Sequence, residues 1–285
     1  MHSPKARYFL IATALFFAVG VQATVGPIHA EDRPTVHVLA AGSLHSAITE
    51  IGAAFQNSAH NTTNVTVESG FGPSGVLRER IEKGETPDLF ASADMSNPLA
   101  LARAGKAGPV ALFVRNRLCA FARPGLKVDA DTLLTTMLDP KIKLGTSTPK
   151  ADPGGDYTWA MFAKTDAIHS GDAAVLQAKA LQLVGGADSA APPAGIDAIS
   201  WHLRDGRADI FIAYCSGTAT ITKALPGATV VDFPTPLATS ADYGLTLLPT
   251  KNAAAASLAL FILSEDGQKI LAKNGFSAPL LTSGQ

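Results

Sequence analysis

The stretch Val36-His37-Val38-Leu39-Ala40-Ala41-Gly42-Ser43-Leu44 decides how the rest of the chain is read. Residues 36–41 are apolar apart from His37 and stop at Gly42, the pattern of a short buried strand. Leu44 to Gln56 then carries apolar side chains at 44, 47, 48, 51, 54 and 55, the period of an amphipathic helix. Strand, tight Gly-Ser turn and helix form one α/β step. Working outward, the step repeats: strands are expected over 65–69, 88–92 and 112–123, with helices over 76–83 and 98–104. Beyond Pro124 come a strand over 143–146, helices over 157–164, 173–183 and 196–204, and strands over 210–214, 229–233 and 243–248. Helices over 253–263 and 267–273 close the chain. Such alternation predicts an α/β fold of mostly parallel sheets with helices on both faces.

Composition agrees. Of 285 residues, 47% are hydrophobic and 16% charged, enough apolar matter for a sizeable core and too much for a disordered chain. The formal charge is −1 and Lys and Arg show no clustering, so nucleic acid is not an expected partner. The apolar excess has one local source. Lys5 and Arg7 precede a 14-residue apolar run, Tyr8 to Val21, which is shorter than the roughly 20 residues a spanning helix needs. Small-residue patterns follow at Val21-Gln22-Ala23 and Ile28-His29-Ala30. Residues 1–30 therefore read as a secretory signal peptide cleaved after Ala23 or Ala30. Cleavage removes two of the 23 basic residues and none of the 24 acidic ones, for a net charge near −3.

Cys119 and Cys215 are the only cysteines. Both sit in apolar runs, and export to an oxidising compartment makes a disulfide between them plausible. Two buried free thiols are the competing reading.

Four loops share one design: Gly42-Ser43-Leu44, Pro73-Ser74-Gly75, Gly154-Gly155-Asp156 and Gly195-Ile196-Asp197. Each contains small residues and opens into an expected helix, and the first three follow a strand. The first turn of a helix has N–H groups without intrahelical partners, and the helix dipole adds positive potential there. Such loops are anion sites in waiting, although a Ser at a helix start is also a simple N-cap. None of the four cores holds Lys or Arg, so an anion would be held by neutral dipoles.

With these residues in view, the chain resembles the periplasmic molybdate-binding proteins of ABC importers over nearly all of the mature length. The resemblance lies in 38–44, in Phe71-Gly72-Pro73-Ser74-Gly75-Val76-Leu77, in Pro87-Asp88-Leu89-Phe90-Ala91-Ser92-Ala93-Asp94, in 209–214 and in Ala272-Lys273-Asn274-Gly275-Phe276. It implies a two-lobed periplasmic-binding-protein fold of type II with the ligand cleft between lobes. Lobe one would hold 34–114 plus 248–285, and lobe two 115–247. It implies an oxyanion, molybdate or tungstate, bound by Ser43, Ser74, Gly154, Ile196 and Tyr214. It also implies delivery to a membrane permease, with no cofactor and no chemistry, by a protein expected to act as a monomer in the periplasm. Departures from the pattern, Pro73 and Gly75 flanking a single serine and the acids Asp152 and Asp156 in the third loop, leave sulfate, phosphate or a small organic acid as alternatives. Asp152 and Asp156 are expected to be solvated acids or charges at a helix N-terminus. A more remote alternative is a secreted serine hydrolase built on Ser147-Thr148-Pro149-Lys150, which fits the Ser-x-x-Lys pattern but has no partner motif.

Overall fold

The computed structural model describes Met1, residues 34–62 and residues 64–279. The expected leader and both cleavage points lie outside these residues. In chain order the elements are β1 (Thr35–Ala41), α1 (His45–Gln56), β2 (Thr66–Gly72), α2 (Ser74–Glu82), β3 (Leu89–Ser92), α3 (Ser96–Arg103) and β4 (Val110–Ala122). Then come α4 (Leu133–Leu138), β5 (Leu144–Ser147), α5 (Pro153–Thr165), α6 (Asp172–Lys179), β6 (Leu181–Val184), α7 (Ala198–Arg204) and β7 (Ile210–Tyr214). The last are α8 (Thr218–Ala224), β8 (Thr229–Asp232), β9 (Ser240–Leu247), α9 (Ala253–Leu263) and α10 (Glu265–Lys273).

The strands join in the order β2-β1-β3-β9-β4-β7-β5-β6, with β8 added beside β4. Parallel pairing occupies the two ends of this path, where β1 pairs with β2 and β3, and β5 with β6 and β7. The middle is antiparallel: β9 pairs with β3 and β4, and β4 with β7 and β8. The long β4 serves both halves. Val110–Arg117 runs against β9, and Leu118–Ala122 runs against β7 and β8. A register shift between Leu112 and Val114 accommodates Phe113, which is fully buried against the Tyr243 ring. One apolar cluster continues from Val36 and Phe55 through Phe113 and Tyr243 to Leu144 and Phe162, so residues 34–279 pack as one compact unit.

Several boundaries move from their sequence expectation for identifiable reasons. The helix expected at 157 begins at Pro153, because proline suits the first helical position and the Asp152 carboxylate caps it by accepting the Gly154 N–H at 2.9 Å. The helix expected at 196 begins at Ala198, because Asp197 caps it through the Ser200 N–H. The helix expected at 76 begins at Ser74, directly after a longer β2. The helix expected over 173–183 stops at Lys179, and Leu181–Val184 is a strand instead, since pairing with β5 outweighs local helical period. The short helices α4 and α8 were not expected.

The segment Pro87–Asp94 is a structural knot. Asp88 accepts the His37 N–H at 2.9 Å and hydrogen bonds from Thr250 and Asn252, tying β1 and the chain beyond β9 to β3. Asp94 is saturated by the Ser92 and Ser96 hydroxyls and by both the backbone and the amide of Asn97. No helix among the described residues is long and apolar enough to cross a membrane.

Cys119 and Cys215 form a disulfide across 96 positions of sequence, joining β4 to the turn that follows β7. In the chain-entropy model, closing so long a loop contributes about 4–5 kcal/mol. Replacing both cysteines by alanine is expected to lower the free energy of urea unfolding by that order, and reductant should destabilise the native protein but leave the double variant unaffected.

Candidate functional site

The site grows from the middle of the sheet, where β4, β7 and β9 lie side by side. The Asn116 amide oxygen accepts the Arg117 N–H at 2.9 Å, which fixes the amide so that its nitrogen faces inward. That nitrogen donates to the Tyr243 hydroxyl at 3.2 Å and to the Ser216 hydroxyl at 2.8 Å. The Tyr243 hydroxyl also shares a hydrogen bond with the Ser43 hydroxyl, 2.9 Å away. Burial pushes Tyr243 well above the usual tyrosine range, so it remains a donor. With the Tyr243 proton pointing to Ser43, the Ser43 proton is free to give. The relay Asn116 to Tyr243 to Ser43 thus presents a donor at the turn between β1 and α1, and hydrogen bonds in series strengthen one another.

Tyr214 ends β7 beside this relay. Its ring lies 5.6 Å from Tyr243 and 6.4 Å from Tyr157, both edge-on. All three tyrosines beyond residue 30 therefore converge here. The Tyr157 hydroxyl, pushed up to about 12 by burial, is engaged with the Asp242 backbone. Tyr214 is only 8% exposed, and its buried hydroxyl meets no partner in good hydrogen-bonding geometry, with the Tyr243 hydroxyl as its polar neighbour. A buried hydroxyl without a partner is costly, by about 1–3 kcal/mol, and demands an explanation. Burial raises the pKa of this group too, so it is a proton donor and not a phenolate ligand.

Ser74 is fully buried at the first position of α2 and accepts the Ala93 N–H at 3.0 Å, which leaves its proton to donate. The N-terminus of α2 meets the third loop directly: the Gly75 N–H donates to the Ala151 carbonyl at 3.2 Å. A Cβ on Gly75 would lie 2.4 Å from the Lys150 carbonyl oxygen, so only glycine permits this approach.

The other two sequence candidates are placed differently. Gly154 is buried in the first turn of α5, but its N–H is taken by Asp152. The Ile196 N–H donates to the Pro193 carbonyl at 3.0 Å in a turn before α7, and its side chain is 37% exposed. The acids Asp152 and Asp156 do sit at a helix N-terminus. Asp156 is exposed and accepts the Lys150 N–H, but Asp152 is half-buried and not a freely solvated acid. Burial pushes Asp152 up to about 6, with Asp156 and Asp94 adding repulsion. Ser147 ends β5, Lys150 occupies a left-handed turn at φ 69°, and the helix starts only at Pro153. A Ser-x-x-Lys pair one helical turn apart therefore does not form, and the hydrolase alternative has no site.

Sequence reading missed Asn116, Tyr243 and Ser216. Asn116 and Tyr243 lie on strands among apolar neighbours, and only the β4–β9 ladder brings them together. Tyr243→Phe should remove one of the two acceptors of the Asn116 amide nitrogen and cost about 1–3 kcal/mol in urea unfolding with the fold retained by circular dichroism.

Comparison with known proteins identifies the family and the fold. The family model of bacterial extracellular solute-binding proteins matches residues 36–277. An uncharacterized protein of Pasteurella multocida is 38% identical over 189 residues, 66% of this chain and 77% of that one. The periplasmic molybdate-binding protein of Azotobacter vinelandii has the same fold at 17% identity, with a TM-score of 0.66 over 86% of this chain and 100% of its own. The sulfate-binding protein SubI of Mycobacterium tuberculosis aligns with a TM-score of 0.70 at 17% identity, covering 87% of this chain and 88% of its own.

Proposed function

The chain belongs to the bacterial extracellular solute-binding proteins, which bind solutes and are not enzymes, and we propose that its solute is a tetrahedral oxyanion, molybdate or tungstate first among them. The observation that carries the reading is the Tyr214 hydroxyl, buried without a partner beside the donor relay that ends at Ser43. Ser43, Ser74 and Tyr214 supply three neutral O–H donors. A fully deprotonated oxyanion needs only acceptor lone pairs met by donors, and a site of this kind supplies them without Lys or Arg. The Ser-Leu turn at 43–44, the Asp-Leu-Phe-x-Ser-Ala-Asp segment at 88–94, and a fold neighbour that binds molybdate support the same ligand. A neighbour that binds sulfate keeps a smaller oxyanion as the second reading.

In this reading residues 34–114 with 248–285 form one lobe and 115–247 the other, joined along β4 and β9. Ser43 and Ser74 belong to the first lobe and Tyr214 to the second. An anion touching all three favours the closed arrangement by its differential affinity for that arrangement. The closed form, secreted behind a leader over 1–30 and acting as a monomer, would present the anion to the permease of an ABC importer.

Titration calorimetry with molybdate, tungstate, sulfate and phosphate tests this. Saturable molybdate binding is expected, weakened about 10–100-fold by Ser43→Ala and by Tyr214→Phe. Binding of phosphate alone would overturn it. Gly75→Ala should force α2 away from the Lys150 carbonyl, lower the unfolding midpoint and weaken binding at least about tenfold with the fold retained.

A further inference from the structure

The third loop holds an anion already, and it is part of the chain. Asp152 places its Oδ1 2.9 Å from the Gly154 nitrogen, at the N-terminus of a 13-residue helix where an external anion was expected. The carboxylate has little room to leave. A Cβ on Gly185, just beyond β6, would lie 2.5 Å from the Asp152 Cβ and 2.8 Å from Oδ2. The Ser147 Oγ and Asp152 Oδ1 both lie 3.3 Å from the Cβ position of Gly154, so β5 closes the other side. The charged and titratable groups around it are mostly acidic or neutral. Asp156 comes from the first turn of α5 and Asp94 from the segment before α3. Tyr214 of β7 and Tyr243 of β9 both feel the Asp152 charge. Lys150, in the turn before α5, is the one cation in this set, and it is exposed. The independent sign of a ligand is the Tyr214 hydroxyl, nine-tenths buried and without a partner.

The Gly75 N–H, which follows Ser74, donates to the Ala151 carbonyl next to Asp152 at 3.2 Å, so an oxyanion held by Ser74 would lie beside this half-buried carboxylate. Two facing anions in a desolvated site cannot both stay charged unless a proton intervenes. We propose that Asp152 makes oxyanion capture proton-coupled: each anion is bound together with one proton, shared between the Asp152 carboxyl and the anion. This rests on the oxyanion reading above and adds a specificity residue to it. The burial that pushes Asp152 up to about 6 brings that proton within reach near neutral pH. A protonated Asp152 turns from a repelling charge into a further O–H donor, in line with Ser43, Ser74 and Tyr214. An anion that keeps its own acidic proton would donate it to the carboxylate instead.

The sign follows from linkage. If the complex holds one more proton than its separated parts, affinity falls as pH rises, about tenfold per unit once Asp152 is ionised in the free protein. The test is calorimetry of the full mature chain with molybdate at several pH values from about 6 to about 8.5, in buffers of different ionisation enthalpy. Molybdate carries no proton in this window, so proton uptake reports on the protein. The expected result is uptake approaching one proton per anion and a Kd that rises with pH. Asp152→Asn keeps a competent helix cap and cannot be charged. It should abolish both the uptake and the slope, and bind molybdate more tightly than the parent at the alkaline end. Molybdate binding with no proton uptake, or with the same slope in Asp152→Asn, overturns the proposal and leaves the oxyanion reading intact. Failure of all four oxyanions to bind overturns the oxyanion reading itself.

Discussion

The antiparallel ladder between β4 and β9 is the constraint on which the rest depends. It sits at the centre of the strand order, with a parallel group at each end. Without it Asn116 and Tyr243 lie 127 positions apart and share nothing. With it, the amide and the phenol meet, the phenol reaches Ser43 at the end of β1, and Phe113 is driven into the core under the Tyr243 ring. The same strand β4 continues into the pairing with β7 that sets Tyr214 in place. Backbone hydrogen bonds thus act here as positioning devices, and the donor geometry at the site is inherited from sheet register.

The candidate site combines a net negative chain with donors that carry no formal charge. Hydroxyls and helix termini are neutral groups with fixed dipoles, and in a desolvated setting their effect exceeds what they achieve in water. Burial keeps each tyrosine protonated and therefore a donor. The local acids are handled individually. Asp94 is saturated by four donors and serves the chain around α3, Asp156 is exposed and caps a turn, and Asp152 alone remains close to the donors with its ionisation suppressed.

Much of the fold was legible because it is periodic. The strand at 36–41, the helix at 44–56 and the closing helices at 253–273 all carry clear apolar spacing, and the structure has them within a few residues. Legibility failed where tertiary pairing competes with local preference. Leu181–Val184 looks like the end of a helix and becomes a strand because β5 offers it an edge. Turn chemistry and resemblance point to Ser43, Ser74 and Tyr214, and the structure sets Ser43 and Tyr214 beside Tyr243. Asn116 and Tyr243 were not, since no local pattern marks two strand residues that meet only across a ladder. The third loop was half-read: its helix N-terminus is there, but the residue that fills it is the chain's own Asp152. The segment 88–94, which carries much of the resemblance, proves to be scaffolding through Asp88 and Asp94.

The bond from Cys119 to Cys215 touches the site through its neighbour in sequence. Cys215 follows Tyr214 directly and precedes Ser216, the second acceptor of the Asn116 amide. Disulfides of this kind form where thiols are oxidised and are kept open in the cytoplasm. A copy retained inside the cell would hold Tyr214 by the β4–β7 ladder alone, with the following turn untethered. The redox state of the surroundings thereby sets how firmly the turn that carries Ser216 is held beside the Asn116 amide.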